Sequence, residues 1–226
     1  MFKQVTLYTN VLKPMQRFYQ NVMELDIIDI RDQQFSVIVG ETTLIFIQSE
    51  QTAVYHFAIN IPGNQFTIMK HWIKDRLTLN REGGIDEIYY PTFDADAIYF
   101  EDPAGNSVEL IGRRKRDLFG SLTKEAFLNI SEIGITTPFV TEVGEQLQDF
   151  GIPLRHGTAI DPHSLNFLGQ DDAFIVLVPP ARRWRFSALQ SATCPLEIVL
   201  DDGKEIILDH EGHIALTKPD TANNEG

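Results

Sequence analysis

Apolar and polar positions change period several times along the chain. Residues 3–9 are rich in β-forming side chains and predict a strand. Met15, Phe18, Tyr19 and Val22 follow at spacings of three and four, which predicts a helix over residues 14–23. Pro14 sits near its start, where a missing N–H costs little. Three short β-rich runs come next, at 26–30, 35–39 and 42–48. The order is β-α-β-β-β, and it then repeats. Residues 54–61 predict a strand, and residues 65–77 a helix with Phe66, Met69, Trp72, Ile73 and Leu77 on one side. Strands follow at 88–90, 97–100 and 107–111, the last two separated by the turn signal Asp102-Pro103-Ala104-Gly105-Asn106.

The basic run Arg113-Arg114-Lys115-Arg116-Asp117 breaks the pattern and reads as a solvated linker. Beyond it a third unit is predicted: a strand at 131–136, a helix at 141–150 closed by Gly151, and strands at 154–156, 164–168 and 173–178. A fourth unit is abbreviated to strands at 196–200, 205–208 and 213–216, with no room for a helix. The polar tail, 218–226, is expected to be disordered. A single unit leaves a sheet face bare, and pairing two units closes it. The expected fold is α+β, with units one and two (residues 1–113) paired into a curved, cup-shaped mixed sheet. After a linker over 114–128, units three and four (129–217) form a smaller, degenerate copy.

Composition narrows the function classes. The 226 residues hold 19 Lys+Arg against 32 Asp+Glu, a net charge of −13. That balance argues against a general binder of nucleic acid or acidic membranes. Cys194 is the one cysteine, so no intrachain disulfide is possible. No apolar run approaches the roughly 18–20 residues that span a bilayer, and Met1 to Thr6 lacks the apolar core of a signal peptide. The expectation is a cytoplasmic protein whose partner is a small-molecule substrate or ligand; the sequence leaves a homodimer open.

Three stretches carry a family resemblance. Ile98-Tyr99-Phe100-Glu101-Asp102-Pro103-Ala104-Gly105-Asn106-Ser107-Val108-Glu109-Leu110 resembles the closing hairpin of the vicinal oxygen chelate superfamily. That superfamily includes glyoxalases, bleomycin-resistance proteins and extradiol dioxygenases. Lys3 to Asp26, with Phe18-Tyr19 in its helix, and Tyr55-His56-Phe57-Ala58-Ile59 are similar to the family's opening strands. The resemblance implies a divalent metal ion (Zn, Ni, Mn or Fe) held by one residue on the first strand and two in the second unit. Those positions fall on Gln4, fourteen residues before Phe18, and on His56 and Glu109. Glu109 is also the expected catalytic group, and Tyr8, Phe46, Phe57 and Tyr99 are expected to line the substrate cup. His56 and Glu109 sit among apolar neighbours, where an unpaired polar group is costly.

The resemblance implies a metal-dependent lyase or isomerase acting on a small vicinal-oxygen substrate. From another class comes a metal-free protein that sequesters a ligand, as bleomycin-resistance relatives do; a ring-cleaving dioxygenase is the third reading. The stretch Thr43-Leu44-Ile45-Phe46 lacks the second glutamate a glutathione-type glyoxalase would offer there, and Glu41 aligns with a turn. On the same alignment Glu132 falls where Gln4 sits, Leu196 near His56, and Ala215-Leu216 at Val108-Glu109. One donor of three cannot hold a divalent cation against water. The C-terminal half is therefore expected to carry no metal site and to bury Phe174-Ile175-Val176-Leu177-Val178 as support. His210 and His213 read as a hairpin loop, and Arg182-Arg183-Trp184-Arg185 as a loop folded over the sheet.

Overall fold

The computed structural model describes residues 1–117 and 126–219. The four units form as the periodicity predicts, in two seven-stranded sheets. Unit one contributes β1 (Phe2–Thr9), α1 (Leu12–Arg17), β2 (Ile27–Arg31), β3 (Gln34–Val39) and β4 (Thr42–Gln48). Unit two contributes β5 (His56–Pro62), α2 (Phe66–Lys74), β6 (Ile88–Tyr90), β7 (Ala95–Glu101) and β8 (Ser107–Arg113). Unit three is β9 (Asn129–Thr136), α3 (Val140–Asp149), β10 (Asn166–Gln170) and β11 (Ala173–Val178). Its expected strand at 154–156 shrinks to one bridge, Leu154 to Leu168. Unit four is β12 (Leu196–Leu200), β13 (Glu205–Leu208) and β14 (Ile214–Thr217).

The partners differ from the expectation. One sheet runs β14-β13-β12-β1-β4-β3-β2, joining unit one to unit four; the other runs β10-β11-β9-β5-β8-β7-β6, joining unit two to unit three. Units one and two are back to back rather than side by side. Every unit has the same two-sided strands, so the hydrophobic pattern sets which face is inward but not which opening strands meet. The joints are antiparallel pairs of opening strands, β1 with β12 and β5 with β9.

A single core lies between the sheets. Val5, Leu7, Leu44 and Phe46 from one sheet and Phe57, Ile59, Leu110 and Ile133 from the other are all buried in it. Met15 and Tyr19, Met69 and Ile73, and Val143 and Leu147 pack into it from the three helical segments. Each such side chain contributes roughly 1.5–3 kcal/mol by leaving water. Phe174 to Val178, in β11, is buried as expected, with Ile175 and Leu177 in this shared core. The sheets also touch at their ends. Gly40, at φ +56°, lets the β3–β4 turn approach so closely that a Cβ would lie 2.0 Å from the Leu128 carbonyl oxygen. Glu41 N donates to that same oxygen at 2.9 Å.

The turn Asp102 to Asn106 is held by its own aspartate. The Asp102 carboxylate accepts from Ala104 N (3.0 Å), Asn106 N (3.1 Å) and Asn106 Nδ2 (2.8 Å). Tyr19 Oη donates to it from the other sheet's helical segment at 2.9 Å.

The basic run is not a solvated linker at its start. Arg113 ends β8 and is 1% exposed. Lys115 and Arg116 both pair with Asp172, at 2.9 and 2.7 Å. Phe127, in the expected linker, is core. The rest of that linker at 118–125, and the expected disordered tail at 220–226, lie outside the described residues. Among the described residues no helix is long and apolar enough to cross a membrane.

Candidate metal centre

The sheet of units two and three is concave on the face away from the core, and strand alternation decides what lines it. On β5 the residues His56, Ala58 and Asn60 face the cup while Phe57, Ile59 and Ile61 face the core. Ala58 pairs with Glu109 on one side, in parallel register, and with Glu132 on the other, in antiparallel register. Two glutamates are therefore drawn in from both flanking strands over a side chain too small to separate them. His56 is two residues along on the same face. One nitrogen of His56 and one oxygen from each of Glu109 and Glu132 lie within 4.8 Å of one another. Among the described residues this is the one such cluster of three His, Cys, Asp or Glu donors. The three are 6%, 3% and 5% exposed.

Neighbouring groups set the orientation and charge of each donor. His56 Nδ1 lies 3.1 Å from the Ser107 carbonyl oxygen. That contact places the proton on Nδ1 and leaves the Nε2 lone pair free, 3.7 Å from Glu109 Oε2. Burial lowers the His56 pKa to about 4, against the opposing pull of the Ser107 carbonyl. The imidazole is thus neutral near pH 7, and its contact with Glu109 is not an ion pair. Burial, then the charge of Glu132, hold the Glu109 carboxyl well above its usual range. Burial raises Glu132 to about 7, opposed by Arg113 and Arg155.

The surroundings hold the triad in place. Arg113 Nη2 lies 3.5 Å from Glu132 Oε1, and its Nε lies 3.3 Å from Asp172 Oδ1. Arg113 Nη1 also donates to Ser131 Oγ at 2.8 Å and to Asn60 Oδ1. Trp184 stacks on His56 with ring centroids 4.5 Å apart. It fits because β9 carries Gly134 there: a Cβ would come within 3.2 Å of the indole. Tyr99 Oη is 2.7 Å from Tyr90 Oη, and the Tyr99 ring stacks on Phe186 at 5.0 Å. Tyr90, Tyr99 and Trp184 line a cavity of about 450 Å³ that reaches the three donors.

This donor set fits a divalent cation. One neutral nitrogen and two carboxylate oxygens suit Mn, Fe or Zn. Two adjacent buried carboxylates are mutually repulsive without a cation, which would reverse the upward push on both. Three protein donors beside a cavity leave coordination positions for a ligand.

The structure brings together two of the three expected ligands. Gln4 lies in the other sheet, half-buried, paired with Thr43 and Val199. Register explains the misplacement. Thr6 pairs with Ile45 and Glu197 as Ala58 pairs with Glu109 and Glu132. Gln4, Ile45 and Glu197 are thus the counterparts of His56, Glu109 and Glu132 in a second, degenerate cup. Of the expected cup residues only Tyr99 lines the cavity. Tyr8 belongs to the second cup, where its Oη donates to Glu197 at 2.7 Å. Phe46 is core, stacked with Tyr19 and Phe35 at 5.1 Å each, and Phe57 is on the core face of β5.

The C-terminal half does not lack a part in the site, since Glu132 is on β9. The loop at 182–185 folds over the sheet as expected and also supplies Trp184. His213 sits in its hairpin, stacked on Phe139 at 4.3 Å, and His71 is exposed on α2.

The chain shares its paired-module fold with solved structures described as a glyoxalase I and a putative dioxygenase. A family model described as toxoflavin-degrading enzyme matches residues 130–182, from β9 to the start of the Trp184 loop. The whole chain superposes on a "putative dioxygenase" from Bacillus subtilis. The TM-score is 0.63 at 12% identity, over 95% of this chain and 83% of that one. It also superposes on a glyoxalase I mutant from Zea mays with TM-score 0.55 at 12% identity, over 95% of this chain and 90% of that one. Among curated proteins none matches the chain by sequence.

Proposed function

We propose that the chain is a metal-dependent enzyme of the lyase or isomerase type, acting on a small molecule with adjacent oxygens. The observation that carries this reading is the convergence of His56, Glu109 and Glu132 from three strands at the inner end of the cavity. A bound divalent cation would act there as a Lewis acid on a substrate oxygen. His56 is held in one tautomer by Ser107 and in one orientation by Trp184. Glu132 is held by Arg113. Glu109, beside Tyr99, is the group placed to take or return a proton at its free carboxylate oxygen. Trp184 and Phe186 shield the donors from water. The family model over 130–182, named for a degrading enzyme, is in line with an enzymatic role.

A second reading, metal-free sequestration of a ligand, draws support from the raised Glu109 pKa, since a protonated carboxyl facing the neutral His56 at 3.7 Å needs no cation. Elemental analysis separates the two. The enzyme reading expects stoichiometric divalent metal in the purified protein and none in His56→Ala; equal, negligible metal in both would favour sequestration.

A further inference from the structure

Two of the three arginines on the cavity wall have no carboxylate partner among the described residues. The loop at 182–185 brings Arg182, Arg183 and Arg185 to the cavity around Trp184. Arg183 pairs with Glu82, which also accepts from Phe186 N at 3.1 Å. Arg185 lies beside the Tyr90 phenol, with which it interacts electrostatically, and so along the wall. Neither Arg182 nor Arg185 has a carboxylate within ion-pair distance among the described residues. Arg182 and Arg185 thus stand on the wall without a carboxylate of their own among the described residues, while the cavity's Glu109 and Glu132 lie with His56 in the donor cluster, in a chain whose net charge of −13 repels anions at long range. Tyr90, Phe93, Phe167 and Trp184 give the wall flat aromatic surface as well. The volume of about 450 Å³ is within the roughly 300–1,000 Å³ of small-molecule sites.

We infer that the cavity takes a flat aromatic anion, its ring lying against the aromatic walls and its anionic group on Arg182 and Arg185. Guanidinium forks match a planar carboxylate in two-point contact, and aromatic walls favour a ring over a flexible chain. This inference rests on the reading of the cavity as the substrate site and gives that site a substrate class.

The test uses Trp72→Phe protein, in which Trp184 is the sole remaining tryptophan and reports on the cavity. 1-Naphthoate and its neutral isostere 1-naphthamide are titrated against Trp184 fluorescence, in EDTA-treated protein and again with excess Mn(II). The expected result is at least tenfold tighter binding of naphthoate under both conditions. Arg182→Gln with Arg185→Gln should erase that preference while naphthamide binding stays unchanged; the two lysine replacements should restore part of it. Equal affinity for the two probes, no binding of naphthoate, or a preference that survives the double glutamine variant would overturn the inference. Metal content is measured on the same samples. Anion preference without metal leaves this inference standing and removes the metal reading; metal without anion preference does the reverse.

Discussion

Replacing Glu109 by Gln removes a buried ionisable carboxyl at almost constant volume. Its ionisable neighbours include neutral His56, 3.7 Å away, and Glu132, whose charge opposes its ionisation. Among the described residues no guanidinium is within ion-pair distance of it, unlike Glu132 with Arg113 at 3.5 Å. The amide keeps an oxygen beside Tyr99, and its N–H can point at the His56 lone pair. Metal-free Glu109→Gln is therefore expected to be at least as stable as the wild type. In the wild type, a cation at about 100 times its dissociation constant adds about 2.7 kcal/mol. For a chain of this length that is a rise of roughly 5–10 °C in melting temperature. The variant, with one anionic donor fewer, should show almost none of that rise. The assay is thermal unfolding by circular dichroism with EDTA and with excess Mn(II). A drop of several degrees in metal-free Glu109→Gln would refute the reasoning, because Glu109 would then be a hydrogen-bonded structural group.

Gly134→Ala places a Cβ 3.2 Å from the Trp184 ring and 3.2 Å from the His56 carbonyl oxygen. It should cost about 1–3 kcal/mol and shift Trp184 emission to the red; unchanged emission would mean the indole does not rest there. Gly40→Ala combines positive φ with a 2.0 Å approach to Leu128 O and should lower the urea midpoint strongly, by about 3 kcal/mol or more. Asp102 gives a pH signature. Burial raises its pKa from 3.8 to about 6 against four hydrogen bonds. Its raised folded-state pKa means its contribution to stability is full below about pH 4 and is lost as pH rises through about 6. Measured by urea unfolding from pH 4 to 7, wild type should lose up to about 3 kcal/mol relative to Asp102→Asn; a constant difference would show that Asp102 does not titrate in that window.

Most strands were legible from their residue pattern because they have one face in the core: Val5 and Leu7 in β1, Phe57 and Ile59 in β5, Ile133 and Ile135 in β9. His56 and Glu109 were legible because the turn at Asp102 and the strand around His56 resemble a known pattern. Glu132 was visible as the counterpart of Gln4, yet its role was not. That role depends on β9, rather than β1, pairing with β5, and register with Ala58 is a property of the assembled sheet. Trp184 and Arg113 were hidden for related reasons. Trp184 needs the gap at Gly134, on a strand about fifty residues earlier. Arg113 stood at the head of a basic run whose other members are more exposed, and only burial against Asn60, Ser131 and Asp172 separates it from them.

The central claim is that a cation is held by His56, Glu109 and Glu132, across units two and three, with Gln4 taking no part. Electron paramagnetic resonance of Mn(II) added to Gln4→Ala and to Glu132→Ala tests it most directly, since free and bound Mn(II) differ in signal. Gln4→Ala should bind Mn(II) stoichiometrically like the wild type, while Glu132→Ala should leave the ion free in solution. Loss of binding in Gln4→Ala with retention in Glu132→Ala would contradict the account and return the site to the pairing of units one and two.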